Sequence, residues 1–191
     1  MNLKLFTKIL NSFPIVGFGQ QPDEWQAFLE FASSYFQSRG IARPIVVEIG
    51  VWTGHQKAFY EQLLNAEYIS MDMAGTPDIK GNSQDPGTLA ALMSKLNGRK
   101  INLLFIDGCH TYEGVKSDYQ MYGPLTEHII VVHDVASVIE PRDKEPIDVM
   151  RFWKELLAQN QNDLMMTIQK HNVKQFYGRQ MGIGVIVKGG A

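Results

Sequence analysis

Four short aliphatic runs in this chain each reach an acid at or near their end. Pro44-Ile45-Val46-Val47-Glu48-Ile49 carries Glu48, Tyr68–Met71 leads to Asp72, Ile101–Ile106 leads to Asp107, and Ile129–Val132 leads through His133 to Asp134. Runs this short and apolar read as strands buried on both faces, the pattern of a parallel sheet. Between them lie stretches of helical periodicity: Lys57–Leu64, the run through Leu89, Leu92, Met93 and Leu96, Tyr112 to Tyr122, and Val149 to Leu157. Strands alternating with helices pack as one sheet with helices on both faces. The expectation is a Rossmann-like, doubly wound α/β domain with a mainly parallel seven-stranded sheet. Weaker strands at Leu164–Gln169 and Gly184–Val187 complete it.

At 191 residues the chain suits a single domain spanning 1–191. Pro22-Asp23-Glu24 opens a helix whose Trp25, Phe28, Leu29, Ala32, Tyr35 and Phe36 share one face, and Gly40 follows it. Ahead of it, residues 1–21 read as an N-terminal arm or lid, since Lys8 interrupts what would otherwise be the apolar core of a signal peptide. A net charge of −2 gives no basic surface for nucleic acid, and no run approaches the ~20 apolar residues of a membrane span. The single cysteine, Cys109, excludes an internal disulfide and a multi-cysteine zinc site. A cytoplasmic location fits a chain of this kind.

Doubly wound sheets bind ligands beyond the carboxyl ends of their strands, where the strand order reverses. Glu48-Ile49-Gly50-Val51-Trp52-Thr53-Gly54 is E-x-G-x-x-x-G rather than the dinucleotide pattern G-x-G-x-x-G. Here Gly50 permits a tight turn, and Gly54 is expected to let the next helix come close. A carboxylate at Glu48 disfavours phosphate and suits a cationic ligand. S-adenosylmethionine, with a sulfonium and an ammonium group and no phosphate, fits that description. Asp72, one strand later, can accept hydrogen bonds from ribose hydroxyls. In Gly81-Asn82-Ser83-Gln84-Asp85, either the loop holds the nucleoside or Ser83 or Asp85 merely caps the next helix.

Asp107 and Asp134 end neighbouring strands, which allows both carboxylates to reach one divalent cation. Oxygen ligands favour Mg²⁺, Ca²⁺ or Mn²⁺, and His133 as a further ligand moves the preference toward a transition metal. Tyr112 and Glu113 read mainly as helix-start residues, Cys109 as a small inert one, and Trp25 and Trp153 as core.

Ile106-Asp107-Gly108-Cys109-His110-Thr111-Tyr112-Glu113, with Asp118 further on and then Val131-Val132-His133-Asp134, resembles the class I S-adenosylmethionine-dependent methyltransferases. More narrowly it resembles the group of cephalosporin-hydroxylase-like proteins and metal-dependent sugar O-methyltransferases, over about residues 44–157. The resemblance implies Asp107 and Asp134 as metal ligands, His110 as general base, and Glu48, Gly50, Gly54, Asp72 and Ser83 around the cofactor. Many members of that group carry acids where this chain has Cys109 and Asn82.

The expected function is therefore methyl transfer from S-adenosylmethionine to a hydroxyl of a small polar acceptor, a sugar or secondary metabolite, assisted by Mg²⁺ or another divalent cation. A catalytically silent cofactor-binding protein is the rival reading, motivated by Cys109 and Asn82. A nicotinamide-dependent oxidoreductase is a weaker one. The site is expected to be covered by residues 1–21 and the loop Ala136–Lys144, or by a second subunit of a homo-oligomer.

Overall fold

A computed structural model describes residues 1–14, 18–137, 147–160, 162–170 and 181–189. Two helices lead: α1 (Leu3–Leu10) and α2 (Pro22–Ser38). Then come β1 (Ile45–Ile49), α3 (Gln56–Leu63), β2 (Glu67–Asp72), the two-residue β3 (Ile79–Lys80) and α4 (Pro86–Leu96). The second half runs β4 (Ile101–Ile106), α5 (Tyr112–Tyr122), β5 (Thr126–His133), α6 (Val149–Gln159), β6 (Leu164–Ile168) and β7 (Ile183–Val187).

These seven strands form one sheet in the order β3-β2-β1-β4-β5-β7-β6. Strands β1 to β5 pair in parallel, and β7 runs antiparallel to both β5 and β6. The doubly wound, mainly parallel expectation is met. Winding reverses between β1 and β4, so the carboxyl ends of these two central strands frame a crevice.

Period-two alternation divides each strand between two cores. Val47, Ile49, Leu104, Ile106 and Val132 face one layer with Leu92, Phe152 and Trp153. Val46, Leu103, Phe105 and Val131 face the other, with Trp25, Phe28 and Phe59. Trp25 and Trp153 are core residues, as expected. A Cβ on Gly184 would stand 2.8 Å from the Trp153 ring, so the indole lies directly on the β7 backbone.

Helix starts follow local capping chemistry. Asp85 Oδ1 accepts from the Gly87 amide at the start of α4, and Thr111 Oγ1 accepts from the Gly114 amide at the start of α5. Helix α1 is amphipathic and buries Phe6 and Ile9 against the aromatic cluster around Phe59. Among the described residues, no helix is long and apolar enough to cross a membrane.

Candidate functional site

Two clefts open at the carboxyl ends of β1, β2, β4 and β5, and they share Gly50, Trp52, Asp107 and His110. The larger, about 430 Å³, runs past Met71, Asp72 and Ser83. The smaller, about 260 Å³, runs past Gln56, His133, Asp134 and Met181.

Gly50 makes the crevice possible. Its φ is +82°, and a Cβ there would stand 2.0 Å from the carbonyl oxygen of Asp107, so only glycine allows the β1 and β4 exits to approach. Gly54 also needs its positive φ of +73°, but a Cβ there would meet nothing nearer than Val51 Cγ1 at 3.7 Å. The expectation that Gly54 admits a closely packed helix is corrected: conformation, not space, requires glycine. Trp52, within this turn, has φ +46° and is 66% exposed. A bulky residue in that region is a genuine outlier, held open at the junction of the two clefts.

Asp72 holds the turn in place. Its Oδ2 accepts from the amides of Val51 at 2.7 Å and Trp52 at 3.0 Å, while Oδ1 accepts from Ala74 at 2.8 Å. Burial acts to raise the Asp72 pKa, but these backbone donors outweigh it and hold the group below its ordinary value. Asp85, not Ser83, caps α4, and Ser83 stays on the cleft wall. Tyr122 supports that loop by donating its hydroxyl to the Ser83 carbonyl.

Asp107 gathers three side-chain partners. His133 Nδ1 lies 2.9 Å and His110 Nε2 3.1 Å from its Oδ1, and Gln20 Nε2 donates to its Oδ2 at 3.1 Å. Burial pushes the Asp107 pKa upward, but the two imidazoles overcome it, through charge and hydrogen bonds, and keep the carboxyl ionised. Burial likewise acts to lower both imidazoles. The carboxylates of Asp107 and Asp134 prevail, raising His110 above its ordinary value and His133 to about 9. Asp134 leaves β5 at φ +61°, is almost wholly buried, and receives the Ser137 hydroxyl on Oδ1 at 2.7 Å. Strain of this kind persists only where surrounding structure enforces it, commonly at functional sites.

One ligand atom from each of Asp107, His110 and Asp134 lies within 4.8 Å of the others, an arrangement able to hold a metal ion. His110 Nε2 is 3.6 Å from Asp134 Oδ2. His133, expected as a further ligand, stands outside this group: it bonds Asp107 from the wall of the smaller cleft, and its buried Nε2 has no hydrogen-bond partner among the described residues.

Glu48 stands apart from both clefts. It ends up fully buried on the α2–α3 side of the sheet, where Oε2 accepts from the Tyr68 hydroxyl. Burial raises its pKa to about 8, partly offset by the Tyr68 bond. The expectation that Glu48 faces the cofactor is replaced by an internal role. Gly54 also lines neither cleft, whereas Gly50, Asp72 and Ser83 line the larger one. Tyr112 turns away, donating to Glu155 Oε2 on α6. Cys109 packs against Gly114, with Thr111 Oγ1 3.2 Å from its sulfur.

Gln20 and Trp52 carried no expectation of their own, and Asp118 entered only as part of the motif that carries the resemblance. Trp52 was visible as a bulky side chain inside a glycine turn. Asp118 is fully buried beneath Gly108, without a hydrogen bond of good geometry among the described residues. Burial pushes its pKa to about 6, with Ser83 tempering the shift. Nothing in the sequence marks Gln20. The N-terminal segment does reach the site, through Gln20 on Asp107 and the Phe18 carbonyl, which accepts from Gln56 Nε2 at 2.9 Å. Most of the loop Ala136–Lys144 lies outside the described residues.

The strand order and crevice define a Rossmann-like α/β fold, and solved structures of methyltransferases are similar to it. The MycE methyltransferase of the mycinamycin biosynthetic pathway, solved with Mg, SAH and mycinamycin VI, aligns with a TM-score of 0.59 at 15% identity, over 84% of this chain and 49% of MycE. Cofactor-bound Rv0187 from MTB aligns at 0.61 and 15% identity, over 99% of this chain and 90% of that one. An O-methyltransferase from Bacillus cereus in complex with SAH aligns at 0.54 and 13% identity, over 97% and 91%. This chain thus spans about half the length of MycE, and at such identities the likeness is one of fold. No protein-family model matches the chain, and no curated protein matches it in sequence.

Proposed function

We propose that this chain transfers a methyl group from S-adenosylmethionine to a hydroxyl of a small polar acceptor, a sugar or secondary metabolite, with a divalent cation beside the reacting oxygen. The observation that carries this reading is the shared wall: Asp107 and His110 face the larger and the smaller cleft at once. A donor in one cleft and an acceptor in the other then meet at these two side chains.

The larger cleft suits the donor. Ile49, Met71 and Ile147 offer apolar surface for an adenine ring, and Ser83 offers polar groups for its edge. A carboxylate has about four acceptor positions, and the Val51, Trp52, Ala74 and Met73 amides already address Asp72, so a ribose hydroxyl there shares an oxygen with one of them. The donor supplies a methyl group already activated on a sulfonium.

Asp107 and Asp134 suit a cation such as Mg²⁺, since their oxygens are hard ligands and the nearby buried Oε1 of Gln20 has no donor among the described residues. A cation held by these two carboxylates would lower the pKa of an acceptor hydroxyl. His133 keeps Asp107 ionised and fixes its orientation. With the Nε2 hydrogen of His110 committed to ionised Asp107, the imidazole takes the acceptor's proton on Nδ1 as the new O–C bond forms and the C–S bond breaks. Most of the rate gain is assigned to holding acceptor oxygen and methyl carbon in line.

Calorimetric titration with S-adenosylhomocysteine and with NAD tests the donor assignment. The expected result is saturable binding of S-adenosylhomocysteine and none of NAD. Binding of NAD alone would move the chain to the oxidoreductases.

A further inference from the structure

Gln20 is a neutral side chain at the most charged point of the protein. It enters from the segment ahead of α2, 87 residues from Asp107, and is 1% exposed. Its Nε2 donates to Asp107 Oδ2 at 3.1 Å, while its Oε1 is buried with no hydrogen-bond partner among the described residues. A buried carbonyl oxygen left without a donor costs about 1–3 kcal/mol, so the carboxamide gains if this oxygen can turn to an electropositive partner.

We propose that Gln20 is a ligand of the divalent cation, contributed by the N-terminal segment; the inference rests on the cation site formed by Asp107 and Asp134. Without the cation, the amino end of the carboxamide satisfies Asp107. With it, the amide turns over and Oε1 takes the place of Nε2. Two oxygens 3.1 Å apart repel in isolation, yet that spacing matches adjacent ligands on one octahedral Mg²⁺. With metal–oxygen bonds near 2.1 Å, the edge of the octahedron is about 3.0 Å. The two ends of a carboxamide are nearly isosteric, so the exchange needs no movement of the segment. Either orientation leaves one buried end without a partner, and only the cation makes the carbonyl the better one to turn inward.

The test uses Mn²⁺ as the probe on the full chain, with calorimetry for affinity. Broadening of the Mn²⁺ electron paramagnetic resonance lines by ¹⁷O-water counts coordinated waters. The parent protein should bind one Mn²⁺, and Asp134→Asn should weaken it severely. Gln20→Leu should lower affinity about tenfold or more and add one coordinated water. Gln20→Glu should keep the parent's water count and tighten binding. Parental affinity and water count in Gln20→Leu, with Asp134→Asn impaired, would overturn the role of Gln20 alone. Failure of the parent to bind, or parental binding by Asp134→Asn, would overturn the cation site and the inference with it. If thermal melting shows Gln20→Leu unfolded, Gln20→Glu decides: an extra water or weaker binding there refutes ligation.

Discussion

The α-carbon of Gly50 lies so close to the carbonyl of Asp107 that an added Cβ would stand 2.0 Å from that oxygen. The exits of β1 and β4 are thereby locked together at the point where the two clefts meet. Gly50→Ala must both strain a positive φ and push two strand ends apart, so a loss of about 3 kcal/mol or more is expected. Gly54→Ala strains φ alone, with open space for the methyl, and should cost about 1–2 kcal/mol. Urea denaturation of the two variants checks both the losses and their order.

Asp72 clamps the turn that follows β1. Asp72→Asn removes the charge that receives the Val51, Trp52 and Ala74 amides, and the new NH₂ group opposes at least one of them. Hydrogen bonds to a charged group are worth about 1.5–3 kcal/mol, so affinity for S-adenosylhomocysteine should fall about 10- to 100-fold. Calorimetry gives that number. A thermal melt should show a parallel loss of stability.

Glu48 should make the fold less stable as pH rises. Its pKa is about 8 in the folded chain against an ordinary value of 4.5, so the folded state binds the extra proton between those limits. The stabilisation is complete below about pH 4.5 and is lost as pH climbs through 8, at up to about 1.4 kcal/mol per unit. Glu48→Gln mimics the protonated form and keeps an acceptor for Tyr68. Its stability advantage over the parent should therefore grow between pH 5 and pH 8, read from urea denaturation at each pH.

His110 must be unprotonated before it can take a proton. Burial works against its charge, but the bond to Asp107 and the charges of Asp107 and Asp134 lift its pKa above 6.5. The rate of methyl transfer should therefore rise with pH along a limb whose midpoint lies above that value. His110→Gln should abolish the limb and reduce kcat by about 10²- to 10⁴-fold, with donor affinity little changed. A pH–rate profile checks both. Unchanged turnover together with weakened Mn²⁺ binding would instead mark His110 as a metal ligand.

Much of this architecture is legible in the residues. Ile101–Ile106 and Tyr112–Tyr122 stand where their periodicity places them, because a continuous aliphatic run and a capped amphipathic stretch leave little choice. Asp107 and Asp134 meet because adjacent parallel strands in register must bring their ends together. The inward turn of Glu48 is not legible in the sequence. A central parallel strand is buried on both faces, so hydrophobicity does not reveal which way its one polar side chain turns, and here it turns to Tyr68. His133 falls outside the cation group because it stacks near Phe105 and bonds Asp107, while the turn after Gly108 brings His110 to both clefts. Gln20 belongs to no motif. Its place depends on how a non-repetitive segment crosses the sheet edge, which local patterns do not encode.

A crystal structure of the protein grown with S-adenosylhomocysteine and Mg²⁺ is the most direct examination of the site. The expected density is a nucleoside between Met71 and Ser83, its ribose at Asp72, and an ion bridging Asp107 and Asp134. A nucleoside bound elsewhere, or a crevice beside Gly50 left without it at saturating concentration, would contradict the assignment of these strand ends to methyl transfer.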